Sequence, residues 1–104
     1  MTKKRLRKIE EKKIYKECYD LDLSFIKWLN SRLKIYLKGA SNIIDLTFYK
    51  FEFKGENYTQ EELIKKMIKL SDEILVGDWI DEGYSEKIDE LLDIWKLVFK
   101  VMWW

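Results

Sequence analysis

A chain of 104 residues that contains no histidine and balances 38% charged residues to a net charge of +1 can build one modest core. It lacks the side chain on which most neutral-pH acid–base chemistry depends, so histidine triads and histidine zinc sites are excluded. An apolar fraction of 47% with 15% aromatics excludes a chain disordered throughout, and a single cysteine, Cys18, excludes an intrachain disulfide and fits a reducing compartment.

The charge is unevenly laid out. Residues 1–38 carry twelve Lys/Arg against five Asp/Glu, whereas residues 39–104 carry eight against fourteen, nine of the carboxylates falling between Asp72 and Asp93. Attraction between the two halves, within one chain or between two, is the simplest use of such a layout. The residue choice is biased as well: no proline, one alanine, seventeen lysines to three arginines and twelve isoleucines. That bias resembles AT-rich coding and suggests a low-GC bacterium, or a phage or mobile element living in one.

In chain order, the first expected element is one helix from about Lys3 to Lys38. Ile14, Cys18, Leu21, Phe25, Trp28, Leu29, Leu33 and Tyr36 recur at steps of three and four, which is one apolar stripe, and Gly39 stands where a C-terminal glycine cap would end it. Asp20 and Asp22 are poor helix formers, but the stripe runs through them unshifted, so a continuous helix is expected. Cys18 then reads as a small buried hydrophobe rather than a nucleophile. A helix of that length would be roughly 54 Å long, so its basic opening, residues 1–13, is expected to overhang a single domain of residues 1–104.

Period two follows in "YKFEFK", where Tyr49, Phe51 and Phe53 alternate with charged residues as on a strand with one buried face. "KGEN" turns the chain and Tyr58 lies on the return strand, giving a small hairpin that must rest on the helices. "TQEE" opens the next helix with a capping box between Thr59 and Glu62, and Leu63, Ile64, Met67, Ile68 and Leu75 keep helical spacing. Gly77 to Gly83 reads as a loop with Trp79 and Ile80 tucked inward, and Ser85 as the cap of a last helix. The fold class expected is α+β, mainly α: a long N-terminal helix, a small β-hairpin and two further helices around one core.

The last helix is the unusual one. Its core stripe is read as Ile88, Leu91, Leu92, Trp95, Val98, Phe99 and Met102, yet Ile94, Leu97 and Val101 form a second apolar row. Either the helix is buried on both sides or the second row meets another chain; an interfacial membrane role is disfavoured by the narrow polar face, and the apolar run is too short to span a bilayer. The row Ile94, Leu97 and Val101, with Trp103, Trp104 and the nearby carboxylates Asp78, Asp81 and Glu82, is therefore the candidate partner-binding surface.

No catalytic, cofactor or metal residues are nominated. Adjacent carboxylates such as Glu61 and Glu62 do not face each other on a helix. The acidic loop around Gly83 carries Ile80 where a calcium loop needs a ligand. Four scattered glycines form no phosphate cradle. What remains is electrostatic. The acidic segment has the composition of a nucleic-acid mimic as well as of an ordinary solvated face, and Lys3, Lys4, Arg5, Arg7 and Lys8 could contact phosphates. The expected function is a noncatalytic protein-interaction module, a small regulator or inhibitor from a mobile element, cytoplasmic, with a protein partner or a homodimer whose basic and acidic ends meet. The alternative is a nucleic-acid-binding accessory protein using the basic N-terminal helix.

Overall fold

The computed structural model describes residues 3–18, 20–77 and 82–102, and the side chains of residues 9–16 and onward apart from Glu17. Within them the chain is α+β and mainly α: helices α1 (Lys3–Glu17), α2 (Leu21–Ala40), α3 (Gln60–Val76) and α4 (Tyr84–Val98), a hairpin of β1 (Lys50–Phe53) and β2 (Glu56–Thr59), and a closing 3-10 turn over Phe99–Val101. Among the described residues no helix is long and apolar enough to cross a membrane.

Helix α3 is the axis of the core. Leu63, Ile64, Met67, Leu70 and Ile74 are buried along it, and α2 and α4 pack on it from either side. From α2 come Ile26, Leu29, Leu33 and Ala40, and from α4 come Leu91, Ile94 and Val98. The expected capping box starts α3: the Glu62 amide donates to Thr59 Oγ1 at 3.2 Å and the Thr59 amide to Glu62 Oε1 at 3.0 Å. Two further amides of its first turn, on Gln60 and Glu61, donate to the carbonyls of Tyr49 and Leu46. These bonds satisfy donors that a helix N-terminus otherwise leaves open, and they fasten the segment before the hairpin to α3.

The hairpin pairs antiparallel with Phe53 opposite Glu56, so Lys54 and Gly55 form a two-residue loop. Both have positive φ, 52° and 78°, as the tight turns that match strand twist require. Phe53 is buried while Phe51 and Tyr58 pack at the core margin. Lys54 and Lys66 reach Glu90 at 3.7 and 3.4 Å and tie the hairpin to α3 and α4.

Among the described residues the buried polar side chains are paired. The Asn30 amide donates to Ser71 Oγ at 2.7 Å and to Asp72 Oδ1 at 3.0 Å, and Ser71 Oγ donates to the Ile68 carbonyl. Gln60, 1% exposed, donates to the Val101 carbonyl and hydrogen-bonds the Tyr36 side chain. Burial pushes the Tyr36 phenol up from its ordinary value, with the Gln60 hydrogen bond opposing.

The long first helix is not continuous. It stops at Glu17 and restarts at Leu21, with Asp20 at φ 49° and ψ 53° in the left-handed region, where aspartate is among the better-tolerated residues. The reason lies in burial. Ile14, Cys18 and Leu21 are exposed, so no core contact holds the helix through its two aspartates. Cys18 is accordingly a surface residue, not the buried hydrophobe its spacing suggested. At the other end α2 runs past Gly39 to Ala40, where the side chains of Ser41 and Asn42 donate to the Lys38 carbonyl in place of a glycine cap. Gly83, at φ 83°, stands before α4 in the role expected of Ser85. The inward placement of Trp79 and Ile80 lies outside the described residues.

Candidate interaction surface

Two helical rows left over by the core define the site. On α2 the core takes Ile26, Leu29, Leu33 and Leu37, while Leu21, Phe25, Trp28, Arg32 and Ile35 recur at steps of four and three along one flank. Leu21 is 62%, Trp28 48% and Ile35 67% exposed. Phe25 and Trp28 stack with centroids 6.3 Å apart, and the Arg32 guanidinium lies 5.4 Å from the Trp28 ring centroid. The arginine covers part of the indole and is the one charge within the row.

On α4 the core takes Leu91, Ile94 and Val98, and a flanking row runs through Ile88, Leu92, Trp95, Phe99 and Met102. Trp95 is half-buried and holds Phe99 in an edge-to-face pair at 5.2 Å, with Phe99 itself 61% exposed. An open groove of about 400 Å³, lined chiefly by Trp28, Arg32, Ile35, Tyr36, Trp95 and Met102, joins the two rows. They therefore belong to one apolar face, α2 on one side and α4 on the other.

This placement corrects the reading of the last helix. Ile94 is fully buried in the main core and offers nothing to a partner. Val101 is partly buried beside Ile44, Phe48 and Gln60, and its carbonyl accepts from Gln60, so it serves the chain's own packing. Leu97 is 37% exposed and stands alone without the row assigned to it. Conversely, Leu92 and Phe99, read as core, are exposed. Trp103, Trp104, Asp78 and Asp81 lie outside the described residues, and Glu82 is exposed just before α4.

The acidic segment is partly neutralised. Asp72 pairs with Lys34 at 3.0 Å, Glu73 with Lys87 at 3.6 Å, and Glu90 with Lys54 and Lys66. The hydrogen bond from Lys34, aided by Asn30, holds the Asp72 carboxyl below its ordinary range. Glu86, Asp89 and Asp93 are exposed on α4 and form no ion pair among the described residues. The basic residues Lys3, Lys4, Arg5, Arg7 and Lys8 all lie on α1; their side chains are outside the described set, while Lys12, Lys13 and Lys16 farther along are exposed. Among the described residues no three Cys, Asp or Glu side chains converge as metal ligands would.

The α2 row could have been suspected from the sequence. By spacing Leu21, Phe25 and Trp28 fall in one stripe with Leu29 and Leu33, and Ile35 falls outside it, but α2 carries two apolar rows, as α4 does, and only one of them can face α3. No protein-family model, curated protein or solved structure matches the chain.

Proposed function

We propose that this protein is a noncatalytic interaction module that binds another protein chain through the α2–α4 face, acting as a small regulator or inhibitor encoded by a phage or mobile element of a low-GC bacterium. The observation that carries the reading is the meeting of Trp28 and Ile35 from the α2 row with Trp95 and Met102 from the α4 row in one open groove, beside the exposed Leu21, Phe25 and Phe99 of the same rows. Aromatic anchors beside an arginine are the composition in which interface energy concentrates. The biased residue usage supports AT-rich coding, which a low-GC bacterium shares with its phages and mobile elements.

The test is capture from a low-GC bacterial lysate by the tagged protein, with and without nuclease. The expected result is a nuclease-resistant protein partner that is lost with Trp28→Glu, a substitution at a half-exposed position, with the variant's circular dichroism spectrum unchanged. Binding that disappears with nuclease and survives Trp28→Glu would transfer the function to the basic α1 and to nucleic acid. In that case, glutamine at Lys3, Lys4, Arg5, Arg7 and Lys8 would flatten the salt dependence of affinity.

A further inference from the structure

We infer that the occupant of the α2–α4 face is a second copy of this chain, related by a two-fold axis that sets α2 of each copy against α4 of the other. The inference rests on the protein-interaction reading above and names its partner. Three observations lead to it.

The first is area. Leu21, Phe25, Trp28, Ile35, Leu92 and Phe99 are 62, 37, 48, 67, 43 and 61% exposed. At roughly 200 Å² for a large apolar side chain, these six expose about 600 Å² on one face. That matches or exceeds the largest apolar patch of an ordinary monomer, about 300–600 Å². Two copies face to face would bury about 1,200 Å² from these side chains alone, the lower bound of a stable specific interface before backbone and polar rim are added.

The second is charge. Helical spacing places Lys27 and Lys38 outside the α2 row, with Arg32 within it, and places three carboxylates, Glu86, Asp89 and Asp93, against one lysine, Lys96, outside the α4 row, Lys100 lying on the closing turn beyond it. A face with one basic and one largely acidic border becomes its own complement after rotation by 180°, which is the condition an isologous interface must meet. Two separate partners would not require both borders on one surface.

The third is shape. Helices α2 and α4 both pack on α3 and leave the groove between them open. A ridge such as Phe25–Trp28 or Trp95–Phe99 from a second copy has the aromatic bulk to enter it.

Light scattering coupled to size exclusion across a micromolar concentration series tests the inference. The full chain should run at twice its own mass, and Trp28→Glu or Phe99→Glu should return it to the monomer with an unchanged far-ultraviolet circular dichroism spectrum. Asp89→Lys with Asp93→Lys should raise the dissociation constant at least tenfold at low salt, and adding Lys27→Glu with Lys38→Glu on the same chain should restore it. A monomeric mass throughout the series overturns self-pairing, even where Trp28-dependent capture of another protein stands. A dimer unaffected by Trp28→Glu and Phe99→Glu overturns the choice of face.

Discussion

Replacing Ile94 and Leu97 separately by alanine measures which way α4 faces. Both changes remove three carbons from the same helix, three residues apart, so helix propensity and position are nearly matched. Ile94 is fully buried among α3 and α4 side chains, whereas Leu97 is 37% exposed. At about 0.8 kcal/mol per buried carbon, Ile94→Ala loses about 2.4 kcal/mol of transfer free energy. The hole left against α3 raises the cost to about 3–4 kcal/mol. Leu97→Ala gives up about two-thirds of that transfer, and water reaches the site, so about 1–1.5 kcal/mol is expected with little cavity penalty. With a urea dependence of roughly 1.5 kcal/mol per molar, the midpoint should fall by about 2 M for Ile94→Ala and by less than about 1 M for Leu97→Ala. Urea unfolding followed by tryptophan fluorescence and circular dichroism reads both. Equal midpoints, or a larger loss at Leu97, would refute the assignment of Ile94 to the core and return it to the outer row.

Three further outcomes follow from the same geometry. Thr59→Ala removes the capping bond to the Glu62 amide and should cost about 1 kcal/mol, seen as a lowered urea midpoint with an unchanged slope. The carboxyls of Asp72 and Glu62 are both held below their ordinary range, Asp72 by the hydrogen bond from Lys34 and Glu62 by the hydrogen bond from the Thr59 amide. A depressed carboxylate contributes stability that is complete above its unfolded value and lost as pH falls through the folded one. Stability should therefore decline below about pH 4, and Asp72→Asn should flatten that acid limb in unfolding curves taken at stepped pH. Trp95→Ala should cost about 2 kcal/mol, less than the roughly 3–5 kcal/mol of a fully buried tryptophan, because one side of the ring lines the groove; urea unfolding followed by circular dichroism checks it.

The sequence by itself determined the features whose causes are local. The capping box at Thr59 and Glu62, the two-residue turn at Lys54 and Gly55, and the period-two pattern ending in buried Phe53 involve residues within a few positions of each other. The number and type of the elements followed from these signals, apart from the division of the first helix and the 3-10 turn that closes the last one. The phase of α2 and of α4 was not determined, because each carries apolar residues on two flanks and periodicity counts them without saying which flank turns inward. Packing on α3 made that choice. It placed Ile26, Leu33, Ile94 and Val98 inside and left Trp28, Leu92 and Phe99 outside. The same choice divided the first helix, since a row left in solvent gives Asp20 no reason to stay helical. Long-range pairs such as Asn30 with Ser71 and Lys34 with Asp72 join residues about forty positions apart, and only the docking of α2 against α3 brings them within hydrogen-bond reach.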